Sequence, residues 1–237
     1  MEQNLNYLKD QLKYLGFGES LNDALKESIT KGHDKFTLQF PSDREDSKAT
    51  YSLNFSKSKQ SDLYFFNSFE VQLEKDKNVL NHQFQVNGVK GVTAKEAINF
   101  LEGRSVKTEI DFKSKGKQEV FIALDKNELP KEITAETKLP VKYFNTNYGI
   151  DVSNILDNSP VKLANENYRN DALKALEKGN FVKVNYSSKG EEQSGLVSLN
   201  AQFRSLDYYS DKGVKLDYKE LDKDFNLAKQ ESASQTR

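Results

Sequence analysis

The side chains best suited to chemistry are few and far apart. The chain carries two histidines, His33 and His82, and no cysteine. A zinc site would need both imidazoles brought together with at least one carboxylate. His33 follows a glycine placed to end a helix and His82 sits in a strand pattern, so both read as turn or surface residues. Neither lies near a Gly-x-Ser-x-Gly word, which leaves Ser-His-Asp catalysis without its base. Carboxylate pairs such as Glu191-Glu192 fall in a turn and point apart, so none stands out for general acid–base work. The lack of cysteine also removes thiolate ligands, thiol nucleophiles and disulfides. These residues imply a non-enzymatic protein with no catalytic set, no metal site and no cofactor.

Glycine loops are the other chemical possibility. Gly16-Phe17-Gly18 follows a helical segment, whereas a nucleotide fingerprint follows a strand. Asn87-Gly88-Val89-Lys90-Gly91 does follow a strand pattern and precedes a helix, the order in which a helix N-terminus holds an anion. It lacks a third glycine, and Thr93 opens the helix where a phosphate loop would have Lys-Thr. A nucleotide- or phosphate-binding enzyme using residues 87–96 is accordingly the alternative reading.

Leu63-Tyr64-Phe65-Phe66-Asn67-Ser68-Phe69 is the most unusual local composition. On a strand Phe65 cannot share a face with Tyr64 and Phe66, so at least one face must be covered by helix, partner or ligand. Exposed aromatics flanked by Lys57, Lys59 and Arg204 could stack single-stranded bases. The candidate nucleic-acid surface is therefore Lys57, Lys59, Tyr64, Phe66, Arg104, Lys113, Lys115 and Lys117, the last three at a hairpin tip around Gly116. Glu109, Asp111 and Glu119 dilute that tip. With 35 basic and 36 acidic side chains and a net charge of -1, the chain has no general attraction for polyanions.

The elements that would position these residues repeat. Segments 23–40, 96–125 and 171–200 each read as an amphipathic helix, a Gly stop and an alternating hairpin, with Asn-Asp-Ala-Leu-Lys at both 22–26 and 170–174. Leu5, Leu8, Leu12 and Leu15 predict a first helix over 4–15, and Ser20 with Asp23 a capping box for the second. Thr93 with Glu96 predicts another box, and Gly32, Gly103 and Gly179 left-handed helix ends. Period-two patterns from 35 to 86 predict an antiparallel meander. The fold class is α+β, built of helix-plus-antiparallel-hairpin units with helices packed on antiparallel sheets. The organisation is a domain at 1–127, a linker at 128–140 around Pro130 and Pro140, a smaller domain at 141–227 and a disordered tail at 228–237. No run approaches the roughly 20 apolar residues of a membrane span, and Lys and Glu interleave the first residues, so the expectation is a cytoplasmic protein off the membrane.

The words YLKDQLKYLGFGESLNDAL, DLYFFNSF, GVTAKEAINFLEGR and NYGIDV, in that order, resemble a family of uncharacterised proteins encoded on conjugative transposons of gut bacteria. The resemblance extends to about residue 218 and carries no catalytic residue. It implies a mobile-element context and a partner that is a protein or a nucleic acid of that element.

Overall fold

The computed structural model describes residues 1–43, 47–75, 78–86, 91–113, 116–130, 132–134, 136–188 and 191–217. These form two compact units. Unit 1 takes Met1–Gly103, Thr108–Val120 and Leu124–Lys142; unit 2 takes Arg104–Lys107, Phe121–Ala123 and the chain from Tyr143. Residues 87–90 of the glycine loop, Lys115 and the 228–237 tail lie outside the described residues.

Unit 1 begins with α1 (Glu2–Tyr14) and α2 (Asn22–Thr30), followed by β1 (Lys35–Asp43), β2 (Lys48–Lys57), β3 (Tyr64–Lys75) and β4 (Asn78–Gln85). The strands form one antiparallel sheet in sequence order. Alternation decides its faces: Ala49, Tyr51, Leu53 and Phe55 of β2 are buried, whereas Lys48 and Thr50 are exposed. The helices lie on the buried face because Leu8, Leu12, Leu25 and Ile29 make apolar stripes at helical spacing.

Phe17 sits at the centre of this core, edge-on to Phe40, Tyr51, Phe66 and Phe69 at centroid distances of 5.3 to 6.1 Å. The glycines beside it explain how it gets there. Gly16 at φ 89 ends α1 in left-handed geometry, and the Phe17 amide donates back to the Leu12 carbonyl at 2.9 Å, turning the ring inward under the helix. The Gly-Phe-Gly word is thus a helix stop that delivers a core ring.

The aromatic word is resolved by a bulge. Phe66 and Phe69 are three apart and would face opposite ways on a regular strand, yet both are buried, at 3% and 0% exposure. The register of β2 against β3 shifts between Asn54 and Phe55, so Asn54 pairs with Ser68 and Phe55 with Phe66. Tyr64, Phe66 and Phe69 thereby share the inner face, and Phe65 is left outside.

The capping box before α3 (Ala94–Leu101) forms: the Glu96 amide donates to Thr93 Oγ1 at 3.3 Å, and the Thr93 amide donates to the Glu96 carboxylate at 2.9 Å. The box expected at Ser20 does not. Leu21 occupies the N-cap of α2 in helical geometry, so no side chain at that end reaches an orphan amide.

A second sheet has the order β5 (Val106–Phe112), β6 (Gly116–Leu124) and β7 (Val141–Asn145). Leu139, at the end of the expected linker, is 3% exposed, and the Pro140 carbonyl accepts from the Asp125 amide. Those contacts tie that end of the stretch to unit 1.

Unit 2 continues with a one-turn 3₁₀ helix (Thr146–Tyr148), α4 (Val152–Asp157), α5 (Glu166–Glu177), β8 (Val182–Ser188), β9 (Glu191–Asn200) and β10 (Ser205–Ser210). Its sheet has the order β10-β9-β8. Leu156 of α4 and Ala172 and Leu176 of α5 meet Val184, Val197, Leu199 and Leu206 in its core.

The molecule is α+β with antiparallel sheets. Helix-then-hairpin order occurs at α2-β1-β2, α3-β5-β6 and α5-β8-β9, and the glycines that follow the three helices, Gly32, Gly103 and Gly179, stand at φ 72, 81 and 69.

Candidate functional site

Two residues of the expected nucleic-acid surface are unable to serve as a platform. Tyr64 and Phe66 are 1% and 3% exposed, and Phe66 stacks on Phe55 at 4.7 Å, so neither ring has a free face for a base. Lys57 pairs with Asp62 at 2.8 Å, and this contact holds its ammonium above the ordinary lysine range. Lys59 belongs to the same turn, 58–62. Lys113 is exposed, and Lys117 lies 3.7 Å from Glu109. Arg104 belongs to unit 2, unlike the others, and is 7% exposed. Its Nε donates to the Gly179 carbonyl at 2.7 Å, and its guanidinium lies 4.4 Å from the centre of the Phe181 ring. It ties down the C-terminal end of α5, where the helix dipole favours a cation.

The loop before α3 also loses its anion-binding appeal. The Thr93 and Glu96 amides are occupied by the capping box, which places the Glu96 carboxylate where a phosphate would sit. Like charge there opposes an anion. His82 is explained by packing: its ring lies 4.7 Å from Phe84 and 5.2 Å from Phe100, and burial lowers its pKa to about 4. Among the described residues no three His, Cys, Asp or Glu side chains gather in metal-ligand array.

A better-formed site lies in unit 2, between α4 and the connection from β9 to β10. This groove of about 580 Å³ is lined by Ile155, Asn158 and Pro160, by Phe203, Arg204 and Leu206, and by the charged pair Asp207 and Lys215. Its lip is unusual in two ways. Phe203 is 70% exposed, although it is a large apolar ring. Arg204 has φ 51 and is the single non-glycine residue at positive φ among the described residues. A Cβ in that region costs about 1–2 kcal/mol, so the backbone stores strain where the ring is presented.

Local bonds hold the lip in place. The Asn200 side chain accepts from the Phe203 amide at 3.2 Å and donates to Asp207 at 3.1 Å. The Tyr148 hydroxyl donates to the Gln202 carbonyl at 2.6 Å, and the Arg204 guanidinium lies 5.5 Å from the centre of the Tyr148 ring. The Ala201 amide donates to Ser105 Oγ at 3.0 Å within the buried part of unit 2. The backbone that presents the ring is therefore pre-organised, which reduces the ordering cost of a contact.

The sequence marks Arg204 as a cation near aromatic residues but does not reveal this turn or its groove. β10 starts at Ser205, and 201–204 is a turn that no strand alternation announces. The usable signal was Asn200-Ala201-Gln202-Phe203-Arg204, where a polar Asn precedes an aromatic residue between two strand patterns.

No protein-family model matches this chain, and no curated protein or solved structure shows significant similarity to it. No helix among the described residues is long and apolar enough to cross a membrane.

Proposed function

We propose that this protein is a non-enzymatic binding or scaffold protein, and that a protein partner docks on the groove of unit 2. The observation that supports this reading most is the strained Arg204 turn that presents Phe203 at 70% exposure beside a groove of about 580 Å³. An exposed aromatic anchor next to a concavity is the arrangement that dominates protein recognition energetics. Strain maintained by several hydrogen bonds points to a surface kept for use. The resemblance to proteins of conjugative transposons supports a partner encoded by such a mobile element, and a cytoplasmic setting belongs to the same reading.

A nucleic-acid partner is the weaker branch. Its rings are in the core, two of its described cations lie beside carboxylates, and Arg104 is buried.

The test is photo-cross-linking from position 203, with position 65 as the control, in an extract of the organism that encodes the chain. Phe65 is 49% exposed on the sheet of unit 1, so it reports general stickiness of surface rings. Adducts with one protein from 203 and none from 65 are expected. Equal adducts from both positions, or none from 203, would overturn the reading.

A further inference from the structure

We infer that the groove of unit 2 takes an extended acidic peptide segment, whose carboxylate pairs with Arg204 while a neighbouring apolar side chain packs on Phe203 and Ile155. This rests on the reading of the groove as a protein-docking site. Its chemistry comes from the balance of charge around the groove.

The other cation lining the groove is already matched: Lys215 pairs with Asp207 at 2.9 Å. Arg204 differs. Among the described residues it has no carboxylate within ion-pair distance, and its guanidinium lies by the Tyr148 ring. A guanidinium held against a ring keeps its N–H edge in plane for a bidentate carboxylate, with less side-chain freedom left to lose. The groove therefore offers one uncompensated positive charge, fixed beside one exposed apolar ring.

That balance selects the class of occupant. A nucleic-acid backbone needs several cations in a row, and here Asp207 lines the same groove. A single carboxylate beside an apolar residue matches one cation beside Phe203. Ile155, Pro160 and Phe203 supply apolar surface for the neighbouring side chain.

The experiment selects a displayed random heptapeptide library on the full immobilised chain, then measures synthetic versions of the enriched peptides by fluorescence anisotropy. Enriched sequences should carry Asp or Glu adjacent to an aromatic or aliphatic residue. Replacing that acid by its amide, or making Arg204→Gln, should weaken binding by at least about tenfold, as expected for loss of a charge-assisted pair. Arg204→Gly provides the control for folding: it should bind as poorly as Arg204→Gln while melting no lower than the wild type, because glycine accepts φ 51 without strain. Peptides that need Phe203 but ignore both Arg204 substitutions and the acid-to-amide change would overturn this inference and leave the docking site standing. Failure to enrich any peptide on the wild type over Phe203→Ala would overturn both. Binding of a single-stranded oligonucleotide that is lost in Arg204→Gln would overturn the peptide in favour of phosphate.

Discussion

His82 ties the packing of unit 1 to pH. Its ring is set between Phe84 and Phe100, and burial lowers its pKa from 6.5 to about 4. Between those values the unfolded chain carries a proton that the folded chain does not. Stability is fully present above pH 6.5 and is lost as pH falls toward 4. The difference of 6.5 minus 4, at 1.36 kcal/mol per pH unit, corresponds to about 3 kcal/mol over the whole window. Exposed carboxylates with lowered pKa values, such as Glu19, Glu27 and Asp62, also weaken the fold in acid, but in the wild type and a variant alike. The measurement is urea unfolding of the wild type and His82→Leu at pH 7.5 and at pH 4.5. The loss between the two pH values should be larger in the wild type by about 2–3 kcal/mol, whatever the leucine does to packing. Equal losses in the two proteins, or a His82 titration near 6.5 followed by NMR, would refute the reasoning.

Other outcomes follow from the same packing. Gly195 of β9 has no room for a Cβ, which would meet the Tyr186 ring and the Tyr209 carbonyl, so Gly195→Ala should destabilise unit 2 by about 2 kcal/mol or more in thermal melts. Leu101 and Leu176 are 2% and 0% exposed at matching places before the glycines of their helix–hairpin spans, and each should cost about 2–5 kcal/mol as Ala. The helix–hairpin spans 96–125 and 171–200 should superpose, and a failure to superpose would end the repeat reading.

Much of the fold was legible because it depends on period and on a few punctuating residues. The strand alternation of 35–86 gives the faces of the first sheet, Thr93 and Glu96 give a helix start, and Gly32, Gly103 and Gly179 give helix ends. These are local effects, and a single sequence carries them. The bulge at Asn54/Phe55 was not legible, since it is a property of two strands in register and only the burial of both Phe66 and Phe69 betrays it. Ser20 was misread because a capping residue acts only when the chain reaches it in extended geometry, and Leu21 enters α2 already helical. The candidate site was the least legible part. Arg104 looked like a phosphate contact because its partner, the Gly179 carbonyl, lies 75 residues away in sequence. Arg204 stood out only as a cation near aromatic residues, and its left-handed backbone gave no signal because positive φ is expected of glycine and asparagine. Asn200, Tyr148 and Ser105, which hold its turn in place, are scattered along the chain.

The central claim is that a protein partner reads the Phe203 lip of unit 2. The most direct measurement is the affinity of the protein cross-linked at position 203 for the wild type, Phe203→Ala and the double variant Lys113→Glu with Lys117→Glu, at about 50 and 200 mM salt. The account predicts at least about a tenfold loss for Phe203→Ala, since anchors of this kind cost 2 kcal/mol or more when truncated, with little change for the lysine variant and a shallow salt dependence. Unchanged binding by Phe203→Ala, together with steep salt dependence and loss in the lysine variant, would contradict it and move the interaction to the hairpin of unit 1.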